Sequence, residues 1–348
     1  MDGLQSISPV LEGWCHEIVD AGVFATSIQI AVRRDGRTVA ETFGTNLDRP
    51  LACDDLCELH CLTKPIIAWK LLELASDHGI ELATPISTTV PSLAHLDDSI
   101  SIAGICAQQT RLAQPSGLGW LTTAVEQRPT LEQLCQEPEG EFYSEVGAWM
   151  VAKALIEQFE ATTAEASLSE MLGRLGADIH LESAEVADRL ASVIVPIMGL
   201  PNDYIPMLHV RHPTYLSRLG VAFGGLGSMD GYVSFLAEVD ASWHRRPSGF
   251  RISDDVMSQV VESRRPVVRD GTWKREVGFV AGFVSGATPH EMLGRDDFLL
   301  MFAGIGSATA LLDLRDGSAM AAYLDSASFD ADDLRFIRRQ MIAAFLER

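Results

Sequence analysis

Two groups of β-like runs, one near each end of the chain, most constrain its fold. Near the start, an apolar run over residues 27–34 is followed by Asp35-Gly36 and an alternating run over 37–43. Asp-Gly between two such runs is a strong indicator of a hairpin. Further runs occupy the last quarter, at 277–284, 298–302, 308–314 and 319–324. The two groups together predict a sheet assembled from both ends of the chain.

Helical periodicity surrounds and separates these strands. Apolar residues recur at helical spacing in 11–19, and again near the C-terminus at Ile337, Met341 and Phe345. A helix is predicted from Lys64 to about Gly79, with an amphipathic pattern, and another over 143–159.

The expected fold is therefore α+β, with an antiparallel sheet flanked by N- and C-terminal helices and interrupted by an all-helical insertion domain. We expect residues 1–75 and 216–348 to form the sheet domain and 76–215 to form the helical insertion.

Cys61-Leu62-Thr63-Lys64 is the most suggestive local motif, at the predicted start of the second helix. At this spacing the thiol and the amine lie on one helical face, so the amine can accept the proton of the thiol. The helix N-terminus also favours a thiolate. Lysine is scarce, since the chain contains only Lys64, Lys70, Lys153 and Lys274. Taken alone, Cys-x-x-Lys is more often a buried thiol beside a surface lysine.

The cysteines allow one alternative, a metal site. Cys53, Cys57 and Cys61 recur every four residues, and His60 adjoins the last. Zinc and iron–sulfur sites usually contain Cys-x-x-Cys pairs, which this chain lacks. We therefore expect no metal and no other cofactor. Six cysteines are also too few for a disulfide scaffold in a chain of 348 residues.

Net charge and hydropathy exclude several classes of partner. A formal net charge of −21 disfavours nucleic acid and anionic membranes, which bind clustered positive charge. No stretch approaches 18 uninterrupted apolar residues, and the N-terminus lacks the pattern of a secretory signal. We expect a cytoplasmic protein that acts on small molecules.

The order of the motifs resembles that of the class C β-lactamase and penicillin-binding-protein-like serine hydrolases. After the hairpin, that superfamily has Ser-x-Thr-Lys, which aligns with Cys61 to Lys64. A Pro-containing stretch follows, here Leu82 to Pro91. Its Tyr-x-Asn motif corresponds to Tyr143-Ser144-Glu145, and its Gly-Gly-Leu-x-Ser-x-x-Asp segment to 224–230.

Departures from the superfamily pattern affect the expected chemistry. Cysteine replaces the nucleophilic serine, and Glu145 replaces the asparagine that helps to orient an amide substrate. The third motif, Lys-Thr-Gly or His-x-Gly, is Gly304-Ile305-Gly306 here. The Thr-His-Thr-Ser-Gly-Leu segment is also altered, to 108–112. Hydrolysis of β-lactams or of D-Ala-D-Ala is therefore not expected.

The resemblance implies a role for each candidate residue. Cys61 would be the nucleophile, Lys64 the base and Tyr143 the proton relay. The oxyanion would be bound by the backbone N–H groups of Cys61 and Ser307. The remaining substrate-binding candidates are Glu145, Gly304 and Gly306, and the two glycines would leave space for an acyl group or acceptor.

A cysteine nucleophile favours acyl transfer through an acyl-Cys61 intermediate, because a thioester passes its acyl group readily to an amine or a thiol. Small-molecule donors and acceptors are expected. An acidic carrier protein would be repelled by this acidic chain, although it is not excluded. The alternatives are an esterase or amidase of the same superfamily, and a catalytically inactive homologue that binds a ligand in the cleft.

Overall fold

A computed structural model describes residues 6–21, 25, 27–44, 50–181, 189, 220, 222–285, 298–304, 308–325 and 331–347. The helices are α1 (Pro9–Ala21), α2 (Thr63–His78), α3 (Ile102–Cys106), α4 (Gly117–Thr122), α5 (Gly147–Glu160), α6 (Ala164–Arg174), α7 (Met229–Trp243), α8 (Asp254–Glu262) and α9 (Ala331–Leu346). The strands are β1 (Ser27–Arg34), β2 (Arg37–Gly44), β3 (Cys57–Glu58), β4 (Ile179–His180), β5 (Leu226–Gly227), β6 (Arg265–Arg269), β7 (Glu276–Val280), β8 (Phe283–Ser285), β9 (Leu299–Ala303), β10 (Thr309–Asp313) and β11 (Ser318–Leu324).

The main sheet joins both ends of the chain, as the sequence predicts. Its strand order is β2-β1-β11-β10-β9-β8-β7-β6, and every neighbouring pair is antiparallel. The first hairpin turns at Asp35-Gly36, where both residues have positive φ, as a tight hairpin turn requires. Ile28 of β1 pairs with Leu324 of β11, so the first and last strands are neighbours. The α+β fold with an antiparallel sheet and terminal helices is confirmed.

Helices cover both faces of the sheet. Alternate residues of β1, such as Ile28 and Ile30, face a core shared with α1 and α9. Ala31 faces the larger core on the opposite side, where α7 packs across β1 and β11. This alternation follows from the two-residue period of a strand.

Helix α2 lies inside the larger core and packs against α3, α5 and α6. Its residues from Thr63 to Ala75 are all buried, so the prediction of an amphipathic helix is wrong. The helices of the middle segment cover the face that the pattern assigned to solvent. The predicted end is confirmed, because Gly79 terminates α2 in the left-handed conformation.

Two other predicted boundaries are wrong in detail. The helix expected over 143–159 begins at Gly147, so Tyr143 and Glu145 precede it instead of occupying its first turn. The strand expected over 277–284 is two strands, because Ala281 and Gly282 turn the chain with positive φ. Local apolar content does not distinguish one long strand from a tight hairpin.

The middle of the chain is mainly helical, with α3 to α6 between residues 102 and 174. The two-residue strand β4 also falls there and joins a minor sheet of order β3-β5-β4. The domain limits stay a prediction. Within the described ranges, no helix is long and apolar enough to cross a membrane.

Candidate active site

Hydrogen bonds to Gly225 hold the turn that carries Cys61. His60, Cys61 and Leu62 form a single 3₁₀ turn that leads directly into α2. The Leu59 amide donates to the Gly225 carbonyl at 2.9 Å, and the Gly225 amide donates to Thr63 Oγ1 at 3.0 Å. His60 adopts a positive φ of 46°, a conformation that costs a non-glycine residue free energy and needs such support.

The structure brings the Cys61 thiol and the Lys64 amine together. Lys64 Nζ lies 3.1 Å from Cys61 Sγ. Cys61 is 4% exposed, and Lys64 is fully buried. A proton can therefore pass directly between sulfur and nitrogen, shielded from bulk water.

The surroundings of Lys64 favour its neutral amine. Burial is the main cause that lowers the pKa of Lys64, although the nearby Cys61 and Glu145 act in the opposite direction. The amine also donates to the Ala222 carbonyl at 3.3 Å and lies 4.0 Å from the centroid of the Phe223 ring. Among the described residues, no carboxylate forms an ion pair with it. The Lys64 ammonium thus loses its proton more easily than that of an ordinary lysine.

Tyr143 lies next to the Cys61–Lys64 pair. Its side chain is 3% exposed, and its ring centroid lies 5.8 Å from Lys64 Nζ. Burial raises the pKa of Tyr143 well above its usual value, and the neighbouring Cys61 raises it further. The phenol stays protonated at neutral pH, so it can donate a proton and then accept another.

A buried ion pair fixes the backbone of Tyr143. Asp270 Oδ2 accepts from the Tyr143 amide at 2.6 Å and from Arg265 Nη1 at 3.0 Å. Asp270 Oδ1 accepts from the amides of Thr272 and Trp273 at 2.8 and 2.7 Å. Both charged side chains are fully buried, and the Asp270 carboxylate holds the backbone next to Tyr143 through these hydrogen bonds.

Glu145 lies beside the same cluster. Its Oε2 accepts a short hydrogen bond from the Gly117 amide at the start of α4. A methyl group at Gly117 would lie 3.3 Å from this oxygen and 3.1 Å from Phe223 Cζ. Phe223 therefore contacts both the Lys64 amine and the turn that holds Glu145.

Gly304, at the end of β9, packs against the turn of Cys61. A methyl group there would lie 2.9 Å from the Leu59 carbonyl oxygen, 3.1 Å from His60 Cβ and 3.6 Å from the Cys61 amide nitrogen. The space next to its Cα is thus filled by the turn and does not receive an acyl group. Gly306 and Ser307 lie outside the described residues.

The alternative metal site has no geometric support in the part of the chain that the structure describes. No group of three or more His, Cys, Asp and Glu side chains there could hold a metal ion. Cys53 Sγ instead contacts the Ala40 carbonyl at 3.4 Å, and His60 Nε2 lies 3.0 Å from Glu58 Oε2.

Several residues of this site were missed by the motif comparison. They are Gly117, Phe223, Arg265 and Asp270. Asp270 precedes Gly271 in a turn, and Arg265 opens a strand, so each has an ordinary local explanation. The contacts of Asp270 with Tyr143 and of Phe223 with Lys64 join residues more than a hundred positions apart in sequence.

Comparison with known proteins gives the family. The β-lactamase family model matches residues 16–247, which is more than half of the chain. A search of curated proteins finds no match. Three similar solved structures share 16%, 16% and 17% of their sequence with this chain. They are a penicillin-binding protein homologue from Caulobacter crescentus (TM-score 0.75; 98% of each chain covered), the hydrolase EstCE1 (0.72; 97% of each) and the D-amino acid amidase of Ochrobactrum anthropi (0.69; 96% of this chain and 97% of that one).

These similarities in structure extend over almost the entire chain, and at such low identity they establish the fold. The match of the family model covers the Cys61 turn, α2 and the Tyr143 segment. The chain belongs to the β-lactamase family.

Proposed function

We propose that the protein is a cysteine-dependent acyl transferase that works through an acyl-Cys61 intermediate. The observation that carries this proposal is the 3.1 Å contact between Lys64 Nζ and Cys61 Sγ in a buried site. A thiol beside an amine of lowered pKa can become a thiolate without bulk water.

In the proposed mechanism, Lys64 takes the thiol proton, and the thiolate attacks the carbonyl carbon of the donor. The resulting oxyanion is stabilised by the Cys61 amide, with Ser307 as the expected second donor. When the intermediate collapses, the C–O, C–N or C–S bond of the donor breaks. The leaving group takes a proton from the Lys64 ammonium through Tyr143.

Transfer then reverses the roles. An amine, alcohol or thiol acceptor gives its proton to Lys64 through Tyr143 and attacks the thioester carbonyl. The C–S bond breaks and Cys61 returns as a thiolate, which regains its proton from Lys64. Each proton released is taken up again, so the cycle needs no cofactor.

Burial of the site supports transfer in preference to hydrolysis. Lys64 is fully buried and Cys61 nearly so, and the centroid of the buried Tyr143 ring lies 5.8 Å from Lys64 Nζ. A bound acceptor competes well with water where water is scarce. EstCE1, a hydrolase with promiscuous acyltransferase activity, has a similar fold. Small-molecule donors and acceptors suit this site, and the charge of −21 disfavours an acidic carrier protein.

An esterase or amidase is the second candidate, because structures of that kind share the fold, including the amidase of Ochrobactrum anthropi. An inactive ligand-binding homologue is less well supported. Among the described residues Lys64 has no carboxylate ion-pair partner, so its burial costs free energy, and a site without chemistry gains nothing from keeping it.

The decisive experiment is intact-mass spectrometry after incubation with a panel of thioesters and activated esters. We expect an acyl adduct on the parent protein and on Cys135→Ala, in which an exposed thiol is removed, but none on Cys61→Ala/Cys135→Ala. Addition of an amine or alcohol should then yield the acylated acceptor faster than the free acid. Adducts that form equally on Cys135→Ala and Cys61→Ala/Cys135→Ala would exclude the proposed nucleophile, and free acid alone would indicate a hydrolase.

A further inference from the structure

Glu145 has one carboxylate oxygen that the structure leaves available. Oε2 is held by the Gly117 amide, and the side chain as a whole is half-buried. In the described ranges, Oε1 has no hydrogen-bond partner, and no lysine or arginine forms an ion pair with this carboxylate. A half-buried carboxylate with one fixed and one available oxygen is suited to accept a hydrogen bond from a ligand.

The position of this oxygen links it to the reacting groups. Gly117 holds Glu145 through its amide and packs against Phe223, and Phe223 in turn lies against the Lys64 amine. Glu145 also raises the pKa of both Lys64 and Tyr143, as expected of a negative charge close to both. A substrate carbonyl at Cys61 would therefore place its neighbouring substituents near Glu145.

Among the residues that the structure describes, no lysine or arginine forms an ion pair with Glu145, so its negative charge has no such partner there. After the loss of one proton, the Cys61–Lys64 pair carries no net charge, whether it is a thiol beside an amine or a thiolate beside an ammonium group. Arg265 is matched by Asp270 and lies 3.0 Å from a Glu141 oxygen. The Glu145 carboxylate would repel an anionic substrate, whereas a cationic substrate would neutralise its charge.

We propose that Glu145 binds an ammonium group of the substrate, so that the enzyme prefers aminoacyl donors or diamine acceptors to their uncharged isosteres. This inference rests on the proposed function of the same site, and it adds the substrate class. One Oε1···H–N contact gives selectivity, while Oε2 keeps the carboxylate oriented.

Matched substrates test the proposal. In the donor series, the S-phenyl thioester of alanine is compared with that of 2-methylpropanoic acid, and the thioester of 3-aminopropanoic acid with that of butanoic acid. In the acceptor series, ethylenediamine is compared with propylamine, using a butanoyl donor. Each pair differs by replacement of a methyl group with an ammonium group. A preference in the donor series places the cation on the acyl group, and one in the acceptor series places it on the acceptor.

We expect kcat/KM to favour the cationic member of one series by on the order of 10-fold, as for a charge-assisted hydrogen bond at a partly exposed site. Glu145→Gln keeps an oxygen for the Gly117 amide, so the ratio within that pair should fall towards one. Glu141→Gln is the matched control, because it removes a nearby carboxylate that already contacts Arg265. A parent protein that shows no cationic preference in either series would overturn the inference.

A binding measurement separates this inference from the proposed function. Ligand-observed NMR with Cys61→Ala compares alaninamide with 2-methylpropanamide, and propylammonium with 1-propanol, none of which is turned over. Tighter binding of a cation, lost in Cys61→Ala/Glu145→Gln, supports the ammonium site even if no donor acylates Cys61. Equal binding of charged and uncharged ligands contradicts it even if acylation occurs.

Discussion

Replacement of Lys64 by methionine should slow the reaction of Cys61 with an alkylating reagent. Methionine has a similar length and fills the same buried space, but it cannot accept a proton or pair with a thiolate. The change therefore removes the 3.1 Å N···S contact with little change in packing.

The size of the effect follows from the burial of the pair. A hydrogen bond to a charged group contributes about 1.5–3 kcal/mol, and both partners are shielded from water. Since each 1.4 kcal/mol is about a factor of ten, the thiolate population at fixed pH should fall by roughly 10- to 100-fold. The alkylation rate should fall in proportion.

The other thiols set the background of the assay. Burial raises the pKa of Cys15 and of Cys106 to about 12, and it also raises the pKa of Cys57 and Cys53. Cys135 is exposed, so the measurement uses a Cys135→Ser background. The rate of carbamidomethylation by iodoacetamide is then followed by intact mass and by peptide mapping.

The pH profile gives a second readout. In the parent protein the rate should rise with pH through loss of one proton from the Cys61–Lys64 pair. Because burial lowers the pKa of Lys64, this rise should be complete below the range in which an ordinary lysine titrates. Lys274→Met removes an exposed lysine and is the control for net charge. If Lys64→Met and Lys274→Met both react like the parent at every pH, Lys64 is not the base.

Four further outcomes are expected. Tyr143→Phe should lower kcat/KM for acyl transfer by about 10²- to 10⁴-fold through loss of the proton relay, with a much smaller change in thiol alkylation. Asp270→Asn removes the buried ion-pair partner of Arg265 and leaves it with the partly exposed Glu141, and urea unfolding should show a loss of about 3–5 kcal/mol. Gly304→Ala should cost about 1–3 kcal/mol and slow acylation because its methyl group meets the Leu59 carbonyl, whereas Gly173→Ala in α6 meets nothing within 4 Å and should stabilise by about 0.5–1 kcal/mol. Finally, burial lowers the pKa of Lys64 in the folded protein below that of an ordinary lysine, so between these two pKa values the unfolded chain holds the extra proton. Parent stability should therefore rise with pH in that window, and Lys64→Met should lack the rise.

The sequence predicts those parts of the site that depend on local periodicity. Lys64 lies three positions after Cys61, and one turn of regular backbone brings their side chains to the same side. The same reasoning predicts the hairpin at Asp35-Gly36 and the end of α2 at Gly79.

Contacts between distant segments could not be predicted in this way. Phe223 meets the Lys64 amine, and Asp270 holds the Tyr143 amide, only because the sheet and the helical segment pack together. The periodicity of α2 misled for the same reason, because the face assigned to solvent is covered by helices later in the chain.

The contacts that hold the turn of residue 61 do not depend on whether its side chain carries sulfur or oxygen. Gly225 contacts the turn through backbone hydrogen bonds and approaches Thr63, and Gly304 approaches the backbone of Leu59 and the Cys61 amide. None of these contacts involves the Cys61 side chain, so the position of its Cβ is fixed whether sulfur or oxygen follows it. This explains how the chain can retain the family's backbone with a thiol at residue 61. In the mechanism that we propose, the sulfur changes how easily residue 61 loses its proton and how readily the acyl group leaves again, and Lys64, Tyr143 and Glu145 act on that difference.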